Sequence, residues 1–224
     1  MSGSDSEDLD DGPVIKTPVT KAQKDGIEYL ARGLNGQTYN GRPIHPVWKF
    51  IGRNRVAEVD MGDLKIMVEF VATTEVWAHV TVDFYANYVT NTKHHNFKEQ
   101  DTCLGFIILY LNIYKKIKEF KLLIEKFNNT DQFPHLNLIL KFERMFPHTV
   151  FHSKRKNSSA LNEILVDFRK ESAWAELTIG IEGDSSSQKT IECRDIKSTF
   201  NTLMSNLDTG MDNDYYQMAQ LKKQ

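Results

Sequence analysis

The residues best suited to chemistry in this 224-residue chain are basic ones. Lys115, Lys116, Lys118, Lys121 and Lys126 fall within one short stretch, and Lys154, Arg155 and Lys156 form a compact cluster further on. Cations at that density attract phosphates, so nucleic acid or an anionic lipid surface is the partner they fit. No aromatic residue stands inside 154–156, which favours backbone electrostatics over base stacking. Lysines so spaced also form the ordinary solvated face of a helix, and the sequence leaves both readings open. The histidines suggest less. His148 and His152 would share a helix face, but Pro147 precedes them and no third ligand has suitable spacing. His94 and His95, beside Lys93, read as part of a solvated loop. The sequence has no phosphate-cradling glycine loop, zinc-protease histidine pair, serine elbow or acidic calcium loop. No catalytic residue, cofactor or metal is therefore expected, and the chain reads as a non-enzyme. A pocket gathering His79, Asp83 and Glu176 beside Trp77 and Trp174 would reopen that question.

The net charge of -2 conceals a polarised distribution. Residues 1–12 hold five acids and no base, while residues 93–156 hold twelve bases against six acids. Residues 157–224 return to an excess of acids, eleven against seven. Ser2, Ser4 and Ser6 lie among the N-terminal acids, a setting that suits acidophilic kinases. With 40% hydrophobic residues, the composition is that of one globular domain. No run reaches the roughly eighteen apolar residues of a membrane span, and the acidic N-terminus is unlike a signal peptide. Only Cys103 and Cys193 are present, so no disulfide framework is encoded. The expected location is cytoplasmic or nuclear, without secretion.

Periodicity supplies the elements that would position these groups. Residues 1–24 read as a disordered acidic tail, 25–207 as a single globular domain and 208–224 as a flexible tail. Inside the domain, residues 66–84 are echoed by residues 164–181: Ile66/Ile164, Val68/Val166, Phe70/Phe168, Trp77/Trp174, Ala78/Ala175, Thr81/Thr178 and Val82/Ile179 coincide. Each copy reads as a β-hairpin, with Ala78, Val80, Val82 and Phe84, and Ala175, Leu177, Ile179 and Ile181, on buried faces. Alternation places Trp77 and Trp174 at the head of the opposite, polar faces. Two hairpins of one sheet could converge on such letters, because β-branched alternation is common. Residues 136–142 supply a further strand, and Thr190–Cys193 a partner for 174–181. Leu104 to Phe127 reads as a helix whose apolar phase shifts, which predicts a kink or break near Lys115. Residues 195–207 form a closing helix, and 22–34 a weaker one. The fold class is α+β: an antiparallel sheet built from two similar hairpins, packed with a central and a C-terminal helix.

This order of features resembles that of rhabdovirus matrix proteins, those of plant-infecting viruses among them. The likeness rests on the charged N-terminus (1–24), the strand at 77–84, the apolar-to-basic helix at 104–127, FRKESAWAELTIGI at 168–181 and the helix at 195–207. It covers roughly residues 60–207, and it is a likeness of arrangement. The acidic N-terminus departs from the lysine-rich one common in that family, and no proline-rich budding motif stands near the start. The resemblance implies a non-enzymatic viral structural protein that binds the nucleocapsid or RNA and an anionic membrane surface, and self-associates. It implies a location in the virion and the host cytoplasm or nucleus, peripheral on membranes. The polyanion contacts would fall on Lys115, Lys116, Lys118, Lys121, Lys154, Arg155 and Lys156, an assignment that rests on charge. The alternative is an RNA-binding accessory or movement protein without a membrane role.

Overall fold

A computed structural model of the chain describes residues 18–51, 54–86, 89–128, 137–141, 148–154, 162–181 and 184–207. Helix α1 (Lys21–Gly33) starts inside the segment expected to be a tail, because Thr20 and Gln23 form a reciprocal capping box. A small hairpin follows, β1 (Thr38–Tyr39) and β2 (Arg42–Pro43). Its turn residues Asn40 and Gly41 have φ of 50° and 72°, the left-handed pair that a two-residue hairpin turn requires. Strands β3 (Val47–Ile51), β4 (Asn54–Asp60), β5 (Leu64–Phe70), β6 (Ala78–Ala86) and β7 (Val89–Phe97) then form a five-stranded antiparallel sheet in chain order. The long helix α2 (Gln100–Asn128) leads to a second such sheet: β8 (Asn137–Lys141), β9 (His148–Lys154), β10 (Asn162–Asp167), β11 (Ala175–Ile181) and β12 (Asp184–Cys193). Helix α3 (Ile196–Leu207) follows it.

The α+β class holds, but the two hairpins lie in different sheets, at matching places. Ile66 faces Val82 and Val68 faces Val80 across β5–β6; Ile164 faces Ile179 and Val166 faces Leu177 across β10–β11. Phe70 and Trp77 meet edge to face at 5.3 Å, and Phe168 and Trp174 at 5.4 Å. The backbone N–H of Trp77 donates to the Phe97 carbonyl at 2.8 Å, and the backbone N–H of Trp174 to the Cys193 carbonyl at 2.9 Å. Each half is thus a five-stranded meander that runs into a helix. The tryptophans do not head a polar face. Each precedes its strand, so the pleat does not set its direction, and the indole turns toward the core.

Helix α2 runs unbroken through Lys115. Its apolar phase shifts because it changes partner. Phe106 meets Phe97 at 5.0 Å and Tyr114 meets Phe84 at 6.2 Å, both on the first sheet. Phe120 lies 5.9 Å from both Phe168 and Trp174 of the second half, and Phe127 lies 5.6 Å from Phe200 of α3. One hydrophobic cluster therefore includes side chains from both sheets and all three helices. Helix α1 packs beside α2 on the inner face of the first sheet, where Gly26 faces the Phe70 ring so closely that a Cβ would collide with it. One expected loop is a strand, and the second basic cluster begins on another. His94 and His95 belong to β7, and His152 to Lys154 belong to β9, because β-pairing carries polar sequences that alternation alone does not flag.

Candidate functional site

Three of the lysines singled out in the sequence border one groove. Lys115, Lys118 and Lys121 of α2 face Thr38, Tyr39 and Asn40 of the small hairpin across a cleft of about 510 Å³. Each side chain is already engaged. Lys115 Nζ donates to Gln37 Oε1 at 3.1 Å. Lys118 pairs with Asp63 and lies 5.5 Å from the centre of the Tyr114 ring. Lys121 lies 3.8 Å from Glu125, one helical turn on. Glu119 and Glu125 share the lining, so the groove has little net charge to offer a polyanion.

Lys116 stands elsewhere. Its Nζ donates to the Trp174 carbonyl at 2.9 Å and to the Ala173 carbonyl at 3.4 Å, which ties α2 to the approach of β11. Burial pushes the Lys115 and Lys116 ammonium pKa values down. Lys116 also borders a second groove, of about 500 Å³, with Ile108, Leu109, Phe168, Arg169 and Lys170. Arg169 donates to both oxygens of Asp167, and Lys170 pairs with Glu176 and Glu192. These carboxylates raise the pKa values of both cations. Acids of the C-terminal third thus pair with Arg169 and Lys170 of the same third, while Lys116 has backbone carbonyls as partners. Lys154 is the last residue of β9, opposite Asn137 of β8, while Arg155 and Lys156 lie outside the described residues. Among the described side chains, Lys115, Lys118 and Lys121 share one groove, and Lys116 shares the other with Lys115.

The other groups weighed for chemistry are also dispersed. His79 meets Asn96 at 2.7 Å, and Thr92 donates to Asp83 at 2.7 Å, on the outer face of the first sheet. Glu176 belongs to the other sheet, against Lys170. Among the described residues, no group of three histidine, cysteine or carboxylate side chains is placed to hold a metal. Among those residues, no helix is long and apolar enough to cross a membrane.

A different feature stands out, and the sequence reading missed it. Among the described residues strand β3 is an edge of the first sheet, and Val47, Phe50 and Ile51 on it are 48%, 45% and 50% exposed. Its sequence, Val-Trp-Lys-Phe-Ile between Pro46 and Gly52, carries the β-branched and aromatic signal of a strand with turn residues at both ends. The Arg55 guanidinium covers Phe50 at 4.7 Å from the ring centre. At the opposite edge, β7 carries Thr92, Lys93, His94 and Asn96. The second sheet repeats the contrast in sequence, Asn-Leu-Ile-Leu-Lys for edge β8 against Asp-Ser-Ser-Ser-Gln-Lys-Thr for most of edge β12. A free edge exposes unpaired backbone donors and acceptors. Polar or charged side chains discourage added strands there, and β3 has one lysine in five residues. The chain matches no protein-family model, no curated protein and no solved structure.

Proposed function

We propose that this chain is a non-enzymatic structural protein of the matrix type that acts by self-association, copy to copy, through the β3 edge. The observation that carries the reading is the half-exposed Val47 and Ile51 on one face, and Phe50 on the other, of an edge strand that pairs with β4 on one side only among the described residues. Burying each of those side chains more fully is worth about 1 kcal/mol, and backbone pairing adds direction to the contact. A second copy suits the site because every copy brings an edge of the same kind, at β3 and in the sequence of β8. Contact with RNA or an anionic membrane surface is the secondary role. It would rest mainly on Lys154, Arg155 and Lys156, since Lys115, Lys116, Lys118 and Lys121 already have partners within the fold.

Sedimentation velocity across a concentration series tests the reading. The wild-type chain associates, and Val47→Lys with Ile51→Lys weakens association by at least about tenfold, since like charges meet at the paired edge. A wild-type chain that stays monomeric throughout removes the assembly role. Co-flotation with acidic liposomes and binding to single-stranded RNA, both at low salt, test the secondary role, and both should weaken as salt rises. RNA binding without flotation would favour the accessory RNA-binding alternative.

A further inference from the structure

The two halves differ at one inward-facing position of their last strands. His95 of β7 pairs with Val80, and Ile191 of β12 pairs with Leu177, which occupies the same place as Val80. Where one half packs an isoleucine, the other packs an imidazole. The His95 ring lies 4.5 Å from Phe106, 6.4 Å from Tyr110 and 6.3 Å from Phe97. Its Nε2 is buried and has no hydrogen-bond partner. An apolar side chain would fill this box without an orphaned polar atom, so the imidazole costs stability that an isoleucine would not.

We propose that His95 is an acid-sensitive latch, which holds the first half of α2 on the first sheet while the ring is neutral and releases it when the ring gains a proton. The inference is independent of the assembly reading above. Phe106 and Tyr110, which flank the ring, are also the side chains that α2 presents to β7. A proton on the ring places a charge inside this aromatic box, with Nε2–H donating to nothing. The groups around it oppose that charge. On its own strand Lys93 and His94 are basic. From α2 comes the Tyr110 phenol, which burial keeps neutral, with the Arg169 guanidinium acting on it from the loop after β10. From β6 comes the apolar Val80.

Burial first, then Lys93 and His94, lower the His95 pKa below the ordinary value of 6.5. The unfolded chain therefore takes this proton at a higher pH than the folded one. The contribution of His95 to stability is full above about pH 6.5 and declines as pH falls from there toward the folded pKa. The test compares the wild-type chain with His95→Ile, the residue at the matching position of the other half. Acidification from about pH 7.5 to 5.5 should lower the wild-type Tm by about 3 °C more than that of the variant. Protection factors of the amides in residues 103–110, which correct for the slower intrinsic exchange in acid, should fall with acid in the wild type alone. Equal Tm losses in the two proteins would overturn the proposal. So would an NMR titration of the folded wild type that places His95 at or above 6.5, and that measurement decides even if the variant does not fold.

Discussion

The two halves of the chain share a register and differ in what covers them. In the first half, α1 lies over the Phe70–Trp77 pair, with Tyr29 at 5.9 Å from Trp77. In the second half, α2 takes that place, with Phe120 at 5.9 Å from Trp174. One helix thus closes the first meander and opens the second. The aromatic at the shared position is a partly exposed tyrosine in one half and a fully buried phenylalanine in the other. The same register therefore tolerates different degrees of burial, and energetic weight concentrates where α2 serves both sheets.

Four substitutions would break or sharpen this comparison. Phe120→Ala should cost about 3–5 kcal/mol in chemical denaturation, because it opens a cavity among Phe168, Trp174 and Phe200. Tyr29→Ala at the matching position should cost about 1–2 kcal/mol, since its ring is only partly buried. Equal losses would mean that the halves are loaded alike. A comparable effect is expected for Gly26→Ala. Alanine favours a helix by about 1 kcal/mol over glycine, yet its methyl would meet the rigid Phe70 ring. The net should be a loss of about 1–2 kcal/mol, and a gain would show that the α1–sheet contact is loose. The mildest is Lys116→Met, which removes the donor from the Ala173 and Trp174 carbonyls. It should cost about 1 kcal/mol in thermal or urea unfolding. If it instead lowers RNA affinity severalfold with unchanged stability, Lys116 serves a partner more than the fold.

Much of the scaffold was legible because its signals are local. The alternation at 66–84 and 164–181 marked both hairpins, and the buried sides of β6 (Ala78, Val80, Val82 and Phe84) follow it directly. The helix at 195–207 was readable for the same reason, its apolar residues recurring at one face. Strand β7 was not, since Val-Thr-Asn-Thr-Lys-His-His-Asn-Phe carries little apolar contrast and is held by its ladder to β6. Nor was the candidate site. The lysines of α2 stood out as charges, but nothing near them in the chain announces Gln37, Asp63 or the Trp174 carbonyl. The β3 edge is a property of sheet order, and its five residues acquire meaning only once the described strands are seen to flank them on the β4 side alone.

The amino-acid sequence by itself determined the alternating hairpins, the amphipathic helices and the uneven distribution of charge, because each depends on residues close together along the chain. Only the tertiary structure decided that the hairpins occupy separate sheets, that α2 bridges them without a break, and that most of its lysines meet partners inside the fold. The reason is physical. Strand pairing and ion pairing join groups far apart in sequence, and whether a side chain is free or engaged depends on what folding brings beside it.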